Sequence, residues 1–180
     1  MKSEIICAGF GGQGVLTIGK FIAQAGMKEG KNVSWLPSYG PEMRGGTANV
    51  AAVVSDEPIA SPIVGNPDIL VALNQPSIDK FAPSIRPGGL LIINTNMCPH
   101  GCKRTDIKIV AAPMNDISIE IGSMRVLNML AIGIVIGKTG IIKYETMEED
   151  LTAFLKAKDP GLLEQNLSAI KRGMELGQNA

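Results

Sequence analysis

Aromatic side chains are scarce in this 180-residue chain, which has four Phe, two Tyr and one Trp. Its core must therefore be built from Ile, Leu, Val, Ala and Met. Neither sign of charge dominates: seventeen Lys and Arg offset seventeen Asp and Glu. That balance speaks against a general attraction to nucleic acid or to an anionic membrane. Cysteine is limited to Cys7, Cys98 and Cys102. An odd count, with no secretory layout after Met1, predicts reduced thiols and a cytoplasmic protein. Long apolar runs are missing too. The longest without charge, Val126 to Gly137, has twelve residues, whereas a membrane-spanning helix needs about 20.

What is present suits a folded α/β unit. Hydrophobic residues make up 45% of the chain and charged residues 19%, enough for a core and against disorder. The length fits one domain, 1–180. Short apolar runs predict strands at Glu4–Ala8, Asn32–Leu36 (closed by Pro37), Thr47–Ser55, Asp68–Leu73, Leu90–Asn94 and Ile107–Ala111. Pro58–Val64, with prolines inside it, reads as an edge strand or a loop. Helical spacing of Val15, Ile18, Ile22 and Ala25 predicts a helix over Val15–Lys28, stopped by Gly30. Pro76–Phe81 reads as a short helix, and the pattern is helical from Asn115 almost to the end. Thr146 and Glu149 have the spacing of a capping box, and Asp159–Pro160 of an N-cap followed by a first helical residue. Leu163, Leu167, Ile170 and Met174 form one apolar stripe. The expected fold is a three-layer α/β sandwich around a largely parallel sheet, with some antiparallel pairing and a helical last third. Within Arg125–Gly137, Gly133 and Gly137 share a helix face and permit close backbone approach. The segment reads as a buried core helix, with a subunit interface as the rival; Arg125 and Asn128 at its start suit a ligand or a partner.

Two loops carry the chemistry. Gly9, Gly11, Gly12, Gln13 and Gly14 stand between the first strand and the first helix. Glycines let the chain turn sharply and let a ligand approach, and a helix start offers unpaired N–H groups to an anion. A tight turn without a ligand would need the same glycines. The pattern also fits the dinucleotide fingerprint, but the acidic residue expected at the end of the second strand is missing, since Val33–Pro37 holds no Asp or Glu. The second loop, Ser38–Gly46, offers Tyr39, Arg44, Gly45 and Gly46. Arg44, beside Gly45 and Gly46, suits bidentate contact with phosphate or carboxylate; pairing with Glu42 or with another subunit is the alternative. Following successive strands, the two loops should lie side by side at one end of the sheet.

The combination of Gly9-Phe10-Gly11-Gly12-Gln13-Gly14-Val15 with Ser38-Tyr39-Gly40-Pro41-Glu42-Met43-Arg44-Gly45-Gly46 resembles the gamma subunit of the 2-oxoacid:ferredoxin oxidoreductases. The likeness continues through Asp56–Ile59, Ser61–Pro62, Pro67–Leu73 and Gly122–Met129 to about Gly173. It implies an oxidoreductase that converts a 2-oxoacid and coenzyme A to acyl-CoA and carbon dioxide while reducing ferredoxin. It also implies alpha and beta partner subunits, often a ferredoxin-like delta subunit, with thiamine diphosphate and iron–sulfur clusters in the partners. Coenzyme A would be the ligand of the two loops, and overall likeness leans towards 2-oxoglutarate as the acid. The chain alone would not turn over. A stand-alone dinucleotide enzyme and a purely structural assembly subunit are the alternatives. Three cysteines are too few for a four-iron cluster held by thiolates alone. Cys98-Pro99-His100-Gly101-Cys102 departs from the family pattern. It could bind a metal or close a disulfide, but it lacks a fourth ligand, so no metal site is assigned.

Overall fold

The computed structural model describes residues 1–39, 46–156 and 159–180, with the backbone alone of Tyr39. Six strands form one sheet: β1 Lys2–Phe10, β2 Asn32–Tyr39, β3 Thr47–Ser55, β4 Ile69–Ala72, β5 Leu90–Asn94 and β6 Lys108–Ala112, in the order β2-β3-β1-β4-β5-β6. β1, β4, β5 and β6 run parallel, and β3 is antiparallel to both β1 and β2. β2 therefore points the same way as β1 but is separated from it by a reversed strand. The expected mixture of parallel and antiparallel pairing is present.

The pleat of β1 explains the layers. Ile5 and Cys7 face one core; Ile6 and Ala8 face the other. The first core is thick. α1 Val15–Lys28, α3 Met114–Ile121, α4 Leu127–Thr139, α5 Tyr144–Leu155 and α6 Pro160–Asn179 all contribute to it. The second is thin and is closed by α2 Gln75–Phe81, the turn after it, Cys98 and Val64. α4 lies at the centre of the thick side, with every residue from Met129 to Ile136 buried, as a helix hydrophobic all round should be.

α4 and α6 approach each other through glycine. A Cβ on Gly133 would overlap the Ile170 carbonyl oxygen, and one on Gly173 would overlap that of Leu130. Gly137 and Gly177 repeat the arrangement one turn on, where a Cβ on Gly177 would stand 2.5 Å from the Ile134 carbonyl oxygen. The pair Gly133 and Gly137 thus joins two helices of the same chain.

Two local expectations need correction. β2 does not stop at Pro37: it continues to Tyr39, and Pro37 pairs in register with Val50. β2 is an edge strand, so the missing proline N–H can face outward. Pro58–Val64 takes the loop form of the two expected for it. Thr146 and Glu149 do not cap α5, whose first residue is Tyr144 and whose N-cap, Lys143, makes no side-chain cap. Glu29, just beyond α1, does the work instead by accepting from the Lys143 N–H at 2.6 Å. Burial pushes the Glu29 carboxyl up, but hydrogen bonds from Lys143, Thr146 and Lys31, with the Lys31 charge, bring it below its usual value. Asp159 does cap α6, accepting from the Leu162 N–H at 2.9 Å.

Candidate functional site

β1 ends in the glycine turn, and each of its residues has a separate reason to be there. Gly12 and Gly14 hold φ of 96° and 75°, a region that L side chains enter only at a cost. Gly9 has no room for a side chain, since a Cβ would stand 2.6 Å from Gln13 Oε1 and 3.0 Å from Leu73 Cβ. Gln13 ties the turn to the sheet. The Phe10 N–H donates to its Oε1 at 2.6 Å, and its Nε2 donates to the Leu73 carbonyl at 3.3 Å. The residue therefore shapes the turn with both ends of its amide. Gly14 is the N-cap of α1, which has no side-chain cap and no acid in its first turn. The first N–H groups of the helix are left for an outside acceptor.

The flanks of the second loop lie against this turn. The Gly11 N–H donates to the Gly46 carbonyl at 2.9 Å, and Phe10 pairs with Thr47 as β3 begins. On the other flank the Tyr39 backbone pairs with Ala48. Residues 40–45, including Arg44 and Gly45, lie outside the described residues. Beside the joined turns is a cavity of about 300 Å³ whose lining includes Phe10, Gly12, Leu16, Thr17, Thr47 and Ala48.

A third segment completes the neighbourhood. Asn128, on the first turn of α4, lies over Gly14, where a Cβ would come within 2.9 Å of Asn128 Nδ2. Arg125, just before it, is exposed and makes no ion pair among the described residues. Both stand out in the sequence as polar residues, but spacing alone could not bring Asn128 to a turn more than a hundred positions earlier.

The strand order weighs against a dinucleotide. In the doubly wound nucleotide folds the second strand neighbours the first and carries the ribose-binding acid. Here β3 intervenes, which moves the end of β2 about 10 Å from that of β1, and β2 ends in Pro37, Ser38 and Tyr39.

The Cys98–Cys102 segment forms a turn closed by the Gly101 N–H on the Cys98 carbonyl at 3.2 Å. It is fastened by Gln75, which accepts from the His100 N–H at 3.1 Å and donates to the Gly101 carbonyl at 3.2 Å. Cys98 is buried and its thiol is pushed up to about 11, by burial and the nearby Asp79 charge against a hydrogen bond from Asn94. His100 is exposed and Cys102 half-buried. All three cysteines are free thiols. Burial raises Cys7 to about 12. Among the described residues no three potential ligands gather to hold a metal ion. No helix among them is long and apolar enough to cross a membrane.

The sequence profile of pyruvate ferredoxin/flavodoxin oxidoreductase matches residues 4–176. The chain belongs to that family. It is 39% identical over 170 residues to the ketoisovalerate oxidoreductase subunit VorA of Methanothermobacter marburgensis, covering 93% of this chain and 35% of that protein. The chain thus spans only about a third of that relative's length. With the 2-oxoglutarate synthase subunit KorC of Methanocaldococcus jannaschii it shares 35% identity over 181 residues, covering 99% of this chain and 95% of the relative. Among solved structures, the gamma subunit of a keto/oxoacid ferredoxin oxidoreductase from Geobacter sulfurreducens superposes with a TM-score of 0.85 at 27% identity, covering 100% of this chain and 98% of that one. The 2-oxoglutarate:ferredoxin oxidoreductase of Magnetococcus marinus, with 2-oxoglutarate, coenzyme A and succinyl-CoA bound, superposes with a TM-score of 0.91 at 25% identity, covering 99% of this chain and 31% of that one.

Proposed function

We propose that the chain is a gamma-type unit, 1–180, of a cytoplasmic multi-subunit 2-oxoacid:ferredoxin oxidoreductase, and that it supplies coenzyme A contacts and assembly surfaces. The observation that carries this reading is the Gly11–Gly46 hydrogen bond. It joins the glycine turn to the end of the arginine-bearing loop, at the edge of the sheet where the uncapped α1 begins. Backbone N–H groups at Gly12, Gly14 and the start of α1, with the N-terminal helix dipole, suit phosphate oxygens, and the Arg44 guanidinium would add a charged contact. Gly9, Gly11 and Gln13 would shape the turn, while Tyr39, Gly45 and Gly46 would frame the loop. A coenzyme A-bound neighbour of the same fold supports the choice of ligand.

The reaction would be assembled from several chains. Alpha and beta subunits would hold thiamine diphosphate, which stabilises the carbanion left by decarboxylation. Iron–sulfur clusters there or in a delta subunit would pass electrons to ferredoxin. This chain would hold the acyl acceptor. Relatives named for ketoisovalerate, 2-oxoglutarate and pyruvate share the subunit type, so the choice of acid would rest with the partners.

Reconstitution tests the reading. The isolated chain should show no turnover, and the assembled complex should couple 2-oxoacid oxidation to ferredoxin reduction. Arg44→Ala should raise the apparent KM for coenzyme A about tenfold, the scale of one charged phosphate contact. An unchanged KM removes Arg44 from the site. Failure to assemble would favour a structural role for the loop.

A further inference from the structure

Asn74 follows β4 directly and is 1% exposed. Its Oδ1 is committed to the fold: the Ser77 N–H and the Ser77 hydroxyl donate to it at 3.0 and 2.5 Å. This fixes the amide, because exchanging its oxygen and nitrogen would set an N–H donor against the Ser77 backbone N–H. The other end, Nδ2, is buried with no hydrogen-bond partner among the described residues. A buried amide donor left unpaired is costly, and folded proteins carry few of them.

Its position gives the donor a purpose. The connection after β1 passes over one face of the sheet as α1, and the connection after β4 passes over the other as α2. β1 and β4 are neighbours, so the chain diverges between their carboxyl ends, where open α/β sheets bind ligands. The glycine turn follows β1 and Asn74 follows β4, so the two stand at those adjacent carboxyl ends. Leu73, the residue before Asn74, receives the Gln13 bond and stands against Gly9. We propose that Asn74 is a ligand-positioning residue of the glycine-turn site, its amide nitrogen donating a hydrogen bond to an oxygen of bound coenzyme A. The inference rests on the coenzyme A reading above and extends it to the other strand of the crevice. Because Nδ2 is closed off from solvent, ligand entry has to shift a neighbour.

Asn74→Asp and Asn74→Ser separate this role from capping. Both side chains keep an oxygen for the Ser77 N–H and cap helices well, and both delete the amide donor. In the reconstituted complex, each should raise the KM for coenzyme A about tenfold, the loss of one hydrogen bond. Each should leave kcat and the KM for the 2-oxoacid unchanged. An unchanged KM for coenzyme A in both variants overturns the proposal. So does an effect confined to Asn74→Asp, which would report charge repulsion. Gly14→Ala, measured in parallel, separates the two levels: if it raises the KM while the Asn74 variants do not, only this inference falls. If none of the three moves it, the coenzyme A reading falls as well.

Discussion

Glycine does opposite work in two regions of this molecule. Between α4 and α6 it closes space: Gly133, Gly137, Gly173 and Gly177 let two helices touch backbone to backbone. Between β1 and α1 it keeps space open: Gly12 holds a left-handed conformation, and a Cβ there would meet nothing within 4 Å, while α1 begins without a cap. The first use is spatial and belongs to stability. The second is conformational and belongs to the site. Glycine content alone does not tell them apart; the atoms a side chain would meet do.

The largest effect should come from the helix pair. Gly133→Ala or Gly173→Ala drives a methyl group into a backbone carbonyl, which cannot rotate away as a side chain could. A loss of about 3 kcal/mol is expected, or a drop in Tm of roughly 6–12 °C for a chain of this size. The folded fraction should keep its KM for coenzyme A. A change in KM at these positions would blur the division between packing and site. Gly14→Ala should reverse the pattern, costing about 1–2 kcal/mol for the left-handed backbone while raising the KM for coenzyme A. An unaltered KM with reduced Tm would make the turn as purely structural as the helix pair.

Glu29→Gln should be milder, about 1 kcal/mol for weakened hydrogen bonding to the start of α5. Its carboxyl is held below the ordinary value of 4.5. The charged form therefore stabilises the fold above that value, and the contribution is lost as pH falls through the lower folded value. Denaturant melts at falling pH should show the deficit of the variant in full at about pH 7 and shrinking once the pH passes below the ordinary carboxylate range. The smallest perturbation is chemical labelling of native protein. Cys102 should alkylate first, while Cys7 and Cys98 wait for unfolding, because burial keeps both as thiols.

Much of this was legible in the chain itself. The extent of α1 followed from the spacing of Val15, Ile18 and Ile22, and the cap at Asp159 from its place before Pro160. Both are local signals. What was hidden depended on distant partners. Glu29 replaces a capping box that Thr146 and Glu149 imitate, and it lies 114 residues from its Lys143 partner. Gly133 and Gly137 were recognised as a close-approach face, but their counterparts Gly173 and Gly177 sit on a helix whose apolar stripe drew attention elsewhere. Pro37 looked like a strand end, because only the sheet order reveals β2 as an edge. At the site, the glycine turn was legible, but it meets the end of the second loop through β3, the antiparallel neighbour of β1, and not through the succession of β1 and β2. Asn74 was not legible, since an unsatisfied amide is visible only when its surroundings are.

The central claim is that the glycine turn and the loop ending at Gly46 make one pocket for the phosphates of coenzyme A. A structure of the assembled complex with coenzyme A bound tests it most directly. The account predicts phosphate oxygens within hydrogen-bonding distance of backbone N–H groups between Gly12 and Leu16, with the Arg44 guanidinium on the same group. Phosphates held wholly by other subunits, with this turn in contact only with protein, would contradict it.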